Sequence, residues 1–359
     1  MFKSSTIPLA LSYDDVLLVP QYSEIDSRSE VDVSTQISPR LRLSIPLIST
    51  KMDTVTGVAM AIAMGKLGGL GILPRFDRID DQIKKVMAVH AAGVVVAAAV
   101  GVKNGYLERV EQLVAAGATV IDIDVAHGHM KKTIEATRTI KQRFGNAITL
   151  MAGITSTYEC ANDLYHAGAD TLLVGVGAGS ICTTRIMTGF GVPGFQSLLE
   201  TARAARKYNK TCIPDAGIRN SGDIVKALAA GASAIVAGNI FAGTDETPGN
   251  IINKNGKKYK PYNGSASLKE KSRQVVVDGS DKDENYTKQI EGVESFVPYK
   301  GPVAGVVEGL LAGVRSGLSY AGARTVPELW KKARFIRITQ AGYVESNAHD
   351  VVLINEKNY

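Results

Sequence analysis

Eight short apolar runs, set apart by amphipathic stretches, constrain the fold of this chain more than any other feature. They lie at residues 46–49, 69–73, 94–100, 120–124, 148–152, 171–174, 211–214 and 234–237. Each has the length and content of a strand buried on both faces. Helical patterns fill the intervals at residues 58–66, 78–90, 106–116, 131–144, 158–167, 196–208 and 223–230, and a last one at 303–316 follows the eighth run. Strand and helix in regular alternation imply parallel strands joined by right-handed crossovers. Eight units favour an α/β fold of the (β/α)8 TIM-barrel type over an open doubly wound sheet. The chain, 1–359, then reads as a single catalytic barrel domain, with an N-terminal arm at 1–43, a hairpin and mobile flap at 250–295, and a C-terminal tail at 335–359.

Composition excludes some classes of function. No apolar run is long and uncharged enough to span a bilayer, and residues 1–13 lack the basic region, apolar stretch and cleavage site of a leader. Cys160, Cys182 and Cys212 do not make a disulfide framework. The expectation is a soluble, cytoplasmic protein without a membrane partner. A net charge of +6 raises the question of nucleic acid, but much of the visible basic bias sits at residues 254–260. That run reads as a solvated hairpin turning at Asn255-Gly256, so no nucleic-acid partner is expected. A phosphorylated small molecule needs no more positive charge than this.

The chemistry is sought at residues 175–185, Gly-Val-Gly-Ala-Gly-Ser-Ile-Cys-Thr-Thr-Arg. Three glycines let the backbone turn tightly and approach a ligand. Cys182 follows among the hydroxyls of Ser180, Thr183 and Thr184 and the charge of Arg185. Such donors favour a nucleophilic thiolate. A core position is the alternative, and it suits Cys160 and Cys212 better. The glycine spacing is not a dinucleotide fingerprint. The loops after the seventh and eighth runs, Asp215-Ala-Gly217-Ile218 and Gly238-Asn239, are where a barrel cradles phosphate. Asp215 is placed either to accept from ribose hydroxyls or to be a buried structural carboxylate. His127 and His129 sit two apart with no evident third ligand, so no metal is expected there.

These stretches resemble the inosine monophosphate dehydrogenase and GMP reductase family along nearly the whole chain. The resemblance is carried by Leu11 to Pro20, Met52-Asp-Thr-Val-Thr56, Asp124-Val-Ala-His-Gly-His129, the Cys182 loop, Gly217 to Asp223, Ala242 to Gly249, Val297 to Pro302 and Glu345 to Val351. The regulatory insert of many dehydrogenases is missing between Pro74 and Val94. The resemblance implies that Cys182 attacks C2 of a purine nucleotide, forming a covalent thioimidate, with Thr184 assisting proton movement and Glu291 completing the catalytic set. It implies that Ser180, Gly217, Gly238 and Asn239 hold the phosphate and Asp215 the ribose, while Met52, Tyr262, Ser267 and Glu291 surround the base. Asp124 would bind the ribose of the cofactor, NAD in a dehydrogenase and NADP in a reductase. Carbonyls of Gly177, Gly179 and Cys182, with Glu345, Ser346 and Asn347 of a neighbouring subunit, resemble the monovalent-cation site, for K+, of family homotetramers.

Two chemistries compete within the family. Dehydrogenases oxidise IMP to XMP with NAD+, and reductases convert GMP to IMP and ammonia with NADPH. Residues 124–129, Gly191-Val192-Pro193, residues 246–249 and the tail from Glu345 to Asp350 resemble the dehydrogenase, which is favoured narrowly. Against it, the flap lacks the adjacent Arg-Tyr pair whose arginine activates water. Arg273 and Tyr286 stand apart, and Lys282 lies nearest the expected position. Other departures are Lys51 for proline, Ala178 for proline, Ala216 for glycine, and Gly194-Phe195 beside Gln196. A barrel without catalysis, serving as a binding partner, is the third reading.

Overall fold

In the computed structural model, residues 7–278 and 286–351 are described. Eight parallel strands form the central sheet: β1 (Leu47–Ser49), β2 (Leu70–Leu73), β3 (Ala97–Val100), β4 (Val120–Asp124), β5 (Thr149–Thr155), β6 (Thr171–Val174), β7 (Thr211–Pro214) and β8 (Ile235–Ala237). Their order is sequential from β7 down to β1, with β8 beside β1. Ser233, just ahead of β8, donates to the Cys212 carbonyl of β7 at 3.0 Å, so the sheet nearly closes as a barrel. The expected α/β barrel is the fold observed.

Eight helices pack outside: α1 (Val58–Lys66), α2 (Ile79–Ala91), α3 (Tyr106–Ala115), α4 (Lys131–Phe144), α5 (Tyr158–His166), α6 (Gly194–Tyr208), α7 (Ser221–Ala229) and α8 (Val303–Tyr320). Their starts follow capping chemistry. The Thr157 side chain accepts from Cys160 N ahead of α5, and Asn220 accepts from Asp223 N ahead of α7. The period-two alternation of the strands sorts their side chains into two cores. Ile48, Ile72, Ala97, Val120, Met151, Leu173, Ile213 and Val236 fill the barrel. Leu47, Ala98, Ile121, Leu150, Leu172, Cys212 and Ile235 face the helices.

The N-terminal arm does more than wrap the core. A hairpin of Thr35–Ser38 against Leu41–Leu43 sends Ile37, Leu41 and Leu43 into the barrel's inner cluster, stoppering its amino end. Ser38 and Thr149 share a hydroxyl hydrogen bond of 2.6 Å there, and Thr211 donates to the Ile37 carbonyl at 2.6 Å. Farther along, Val16–Leu18 pairs antiparallel with Phe335–Arg337, tying arm to tail.

The excursion after β8 departs from the sequence expectation. The predicted hairpin forms from Ile252–Lys254 and Lys257–Asn263, turning through Asn255 and Gly256 with φ of 52° and 73°, and gains Glu294–Pro298 as a third strand. Where the polar composition predicts an unfolded flap, a helix spans Leu268–Asp278. It is held by polar contacts: Asn263 Nδ2 donates to Glu270 at 3.2 Å, and Gln274 Nε2 donates to the Ser265 carbonyl at 3.0 Å. Lys282 lies outside the described residues. Among the described residues, no helix is long and apolar enough to cross a membrane.

Candidate active site

The carboxyl ends of β1, β6, β7 and β8 open onto a cavity of about 560 Å³. Met52, Gly179, Ser180, Cys182, Thr184, Asp215, Gly217, Gly238, Asn239, Tyr262 and Glu291 all stand on its wall. Residues separated by up to 239 positions along the chain therefore converge, because barrel strands end on a common face. Glycine is required at the tightest points. A Cβ on Gly238 would lie 2.8 Å from the Tyr262 hydroxyl, and one on Gly177, at φ +72°, would lie 2.7 Å from Arg185 Cγ.

Cys182 is half-buried, and its sulfur lies 3.2 Å from Thr184 Oγ1. The Thr184 hydroxyl donates to Glu291 Oε2 at 2.7 Å. With that proton committed to the carboxylate, the threonine oxygen is left to accept from the thiol. The result is a relay from sulfur to carboxylate. Backbone pairing sets its geometry: Thr183 N donates to the Glu291 carbonyl at 3.1 Å, Val293 N to the Ile181 carbonyl at 3.1 Å, and Cys182 bridges Gly292. The other thiols are different. Burial pushes Cys160 up to about 11 and Cys212 up to about 12, which leaves both as protonated core residues.

The floor of the mouth is charged. Lys51, just after β1, contacts Asp215 beyond β7 and lies 3.5 Å from Asp122 and 3.8 Å from Asp124 on β4. Burial works against its charge, yet the three carboxylates hold the ammonium above the ordinary lysine range. Burial also raises the Asp215 pKa, and Lys51 opposes that rise. Asp122 is fully buried, and among the described residues neither of its carboxylate oxygens has a hydrogen-bond partner. Burial pushes it up to about 7, with Asp124 and Asp215 adding to the rise. Asp124 keeps 18% of its side chain exposed and accepts from Arg75 Nε at 3.0 Å. Beside the loop that follows β8, Lys300 Nζ donates to the Asn239 and Ile240 carbonyls at 2.6 and 2.9 Å, and burial pushes its pKa down to about 8.

Some expected residues stand elsewhere. Ser267 is fully buried and off the cavity wall, and its hydroxyl accepts from the Glu270 amide at 3.4 Å, at the start of the flap helix. Ser265 and Ala266 line the cavity in its place. Glu345, Ser346 and Asn347 are exposed on the tail. Gly177 and Gly179 lie in the Cys182 loop, where the Gly179 carbonyl accepts from Cys182 N at 3.2 Å. His129 lies 3.0 Å from Asp163. Among the described residues, no group of three or more His, Cys, Asp or Glu side chains has metal-binding geometry. Sequence reasoning recorded Lys51 only as a departure, and it missed Arg219, which lines the cavity while clasping Asp14 and Asp223. The available signal was a cation placed directly after a barrel strand.

Fold and site together define a barrel enzyme with a thiol and a proton relay facing a nucleotide-sized cavity. The chain belongs to the IMP dehydrogenase / GMP reductase family: the family model described as the IMP dehydrogenase / GMP reductase domain matches residues 10–349. At that level it is a purine-nucleotide oxidoreductase. It is 37% identical to the inosine-5'-monophosphate dehydrogenase of Aquifex aeolicus, with 96% of each chain covered. It is 32% identical to the GMP reductase of Leishmania major, covering 96% of this chain and 98% of that one. A crystal structure of a Trypanosoma brucei GMP reductase in complex with guanosine 5'-monophosphate superposes with a TM-score of 0.92 at 30% identity, covering 97% and 99% of the two chains. The alignment with the Aquifex protein runs over 476 residues against the 359 here, so that relative carries residues this chain lacks.

Proposed function

We propose that the chain reduces GMP to IMP and ammonia through a covalent bond between Cys182 and C2 of the purine. The observation that carries this reading is the Cys182–Thr184–Glu291 relay on the cavity wall, combined with the commitment of the flap's single arginine elsewhere. Arg273 lies 2.6 Å from Asp53, 3.1 Å from Glu270 and 3.7 Å from Asp77. That three-carboxylate cage argues against Arg273 as the activator of water that IMP oxidation needs.

The relay suits ammonia release. As sulfur bonds to C2, its proton passes through Thr184 to Glu291. The same relay returns a proton to the departing amine, the C2–N bond breaks, and a thioimidate remains. A reduced nicotinamide, when bound, supplies hydride to C2, and the thiolate leaves as IMP forms. Asp124, partly exposed at the mouth, is the carboxylate that fits the nicotinamide ribose, and Asp215 fits that of the substrate. Ser180, Gly217, Gly238 and Asn239 form the phosphate cradle, while Met52 and Tyr262 flank the base.

IMP oxidation with NAD+ is the second reading, favoured by Asp124 to His129 and Gly191 to Pro193, which resemble dehydrogenases. Glu291 would then take its proton from water. In either direction the assembly proposed is a homotetramer. A K+ ion would be held by the carbonyls of Gly177, Gly179 and Cys182 and by Glu345, Ser346 and Asn347 of a neighbouring copy, an all-oxygen set suited to a weakly held cation. Purified protein is to be incubated with GMP plus NADPH and, separately, with IMP plus NAD+, following nicotinamide absorbance. Turnover in the first mixture alone supports the reductase and in the second alone the dehydrogenase. Turnover in neither sinks both.

A further inference from the structure

The Lys51 side chain reaches both carboxylates assigned above to the two riboses. It starts at the carboxyl end of β1 and crosses the mouth to Asp215 after β7 and to Asp122 and Asp124 on β4. Its side chain is 7% exposed, so water screens these charges little. Three carboxylates face this ammonium, and among the described residues only Asp124 has a second cation, Arg75 at 3.0 Å. Asp215 has in addition the Thr50 hydroxyl at 3.5 Å. Among the described residues, Asp122 has no hydrogen bond at either oxygen, only the Lys51 ammonium at 3.5 Å. Removing one partner of such a buried group leaves uncompensated charge, which is costly. A proline, the family's residue at this position, could supply no charge.

We propose that Lys51 is a positioning residue that keeps Asp215 and Asp124 charged and aimed as ribose acceptors, so that one ammonium supports both the substrate and the cofactor site. A neutral Asp215 would become a partial donor and lose acceptor capacity for the vicinal hydroxyls. Asp122 supplies no ribose contact in this scheme. Above about pH 7, where Asp122 ionises, it adds the third negative charge that makes the lysine necessary, and this sets a specific compensation. Neutralising Asp122 should restore much of what loss of Lys51 removes, because two carboxylates repel less than three.

The inference rests on the proposed purine-nucleotide reading, and the test separates the two. At alkaline pH, above the range in which Asp122 titrates, GMP and IMP affinities are measured by calorimetry on wild type, Lys51→Met, Asp122→Asn and the Lys51→Met/Asp122→Asn pair, alongside kcat and KM for nucleotide and cofactor. Lys51→Met is expected to weaken nucleotide binding by about 10–100-fold and to raise both KM values, with kcat falling less. The double variant is expected to bind more tightly than Lys51→Met, recovering to within about fivefold of wild type. A folded Lys51→Met protein with wild-type affinities overturns the inference, as does a double variant no better than the single. Should Lys51→Met fail to fold, the double variant decides: it must fold and bind, and failure of either overturns the proposal. Wild-type protein that binds neither nucleotide sinks the functional reading itself.

Discussion

The two ends of this barrel are built from the same eight strands by opposite rules. At the amino end, Ile37, Leu41 and Leu43 plug the interior with apolar side chains, and the Ser38, Thr149 and Thr211 hydroxyls are paired with one another or with backbone. At the carboxyl end, Lys51, Asp122, Asp124 and Asp215 crowd one another, and among the described residues Asp122 goes without a hydrogen bond. Burial of apolar area stabilises the first end. Desolvated charge weakens the second, where such residues are retained for chemistry. Stability and activity are therefore separable along the barrel axis, and substitutions at either end should reveal it.

The strongest break is at the mouth. Cys182→Ala should remove turnover by at least about 10⁴-fold with an unchanged melting temperature, since no other described thiol lines the cavity. Steady-state rates and thermal melts check both halves of that expectation, and residual turnover near wild type would rule out covalent catalysis. Glu291→Gln should lower kcat by about 10²–10⁴-fold with little change in nucleotide KM, because the relay loses its proton acceptor while the cavity keeps its shape. A KM effect of the same size would instead make Glu291 a binding residue.

The converse belongs to the stopper. Ile37→Ala should cost about 2–5 kcal/mol in denaturant unfolding, since the side chain is fully buried, yet leave KM where it was. A shifted KM would show that the two ends are coupled. The smallest effect sharpens the comparison through pH. Asp122 is held near 7 against an ordinary 3.8, so the folded state binds its proton more tightly than the unfolded chain. Its contribution to stability is thus greatest below about pH 4 and is lost as pH rises towards 7. Asp122→Asn has no such dependence. Its stability relative to wild type should rise across that window, by on the order of a few kcal/mol at most. A flat difference between the two proteins would mean that Asp122 titrates normally.

How far the residues alone lead depends on which interactions shape an element. Strands such as 171–174 and 211–214 are continuous apolar runs, so composition locates them to the residue. The Cys182 loop and the glycines at 217 and 238 carry a local signature that survives without coordinates. The stopper hairpin does not, because strands of four and three residues carry too little alternation to distinguish from an arm. The flap helix is missed for another reason. Its buried Glu270, Lys271 and Gln274 are stabilised by polar partners distant in sequence, which hydrophobic periodicity does not register.

Local chemistry written into the chain thus determined the barrel and marked the Cys182 loop and the glycines at 217 and 238 as its candidate site, since each depends on residues adjacent in sequence or on a repeat that runs its length. The joining of Thr184 to Glu291, 107 residues apart, and of Lys51 to carboxylates on two other strands was decided only when the barrel brought the strand ends together. Charge acts through space, and spatial neighbours at a barrel mouth are set by closure rather than by order along the chain.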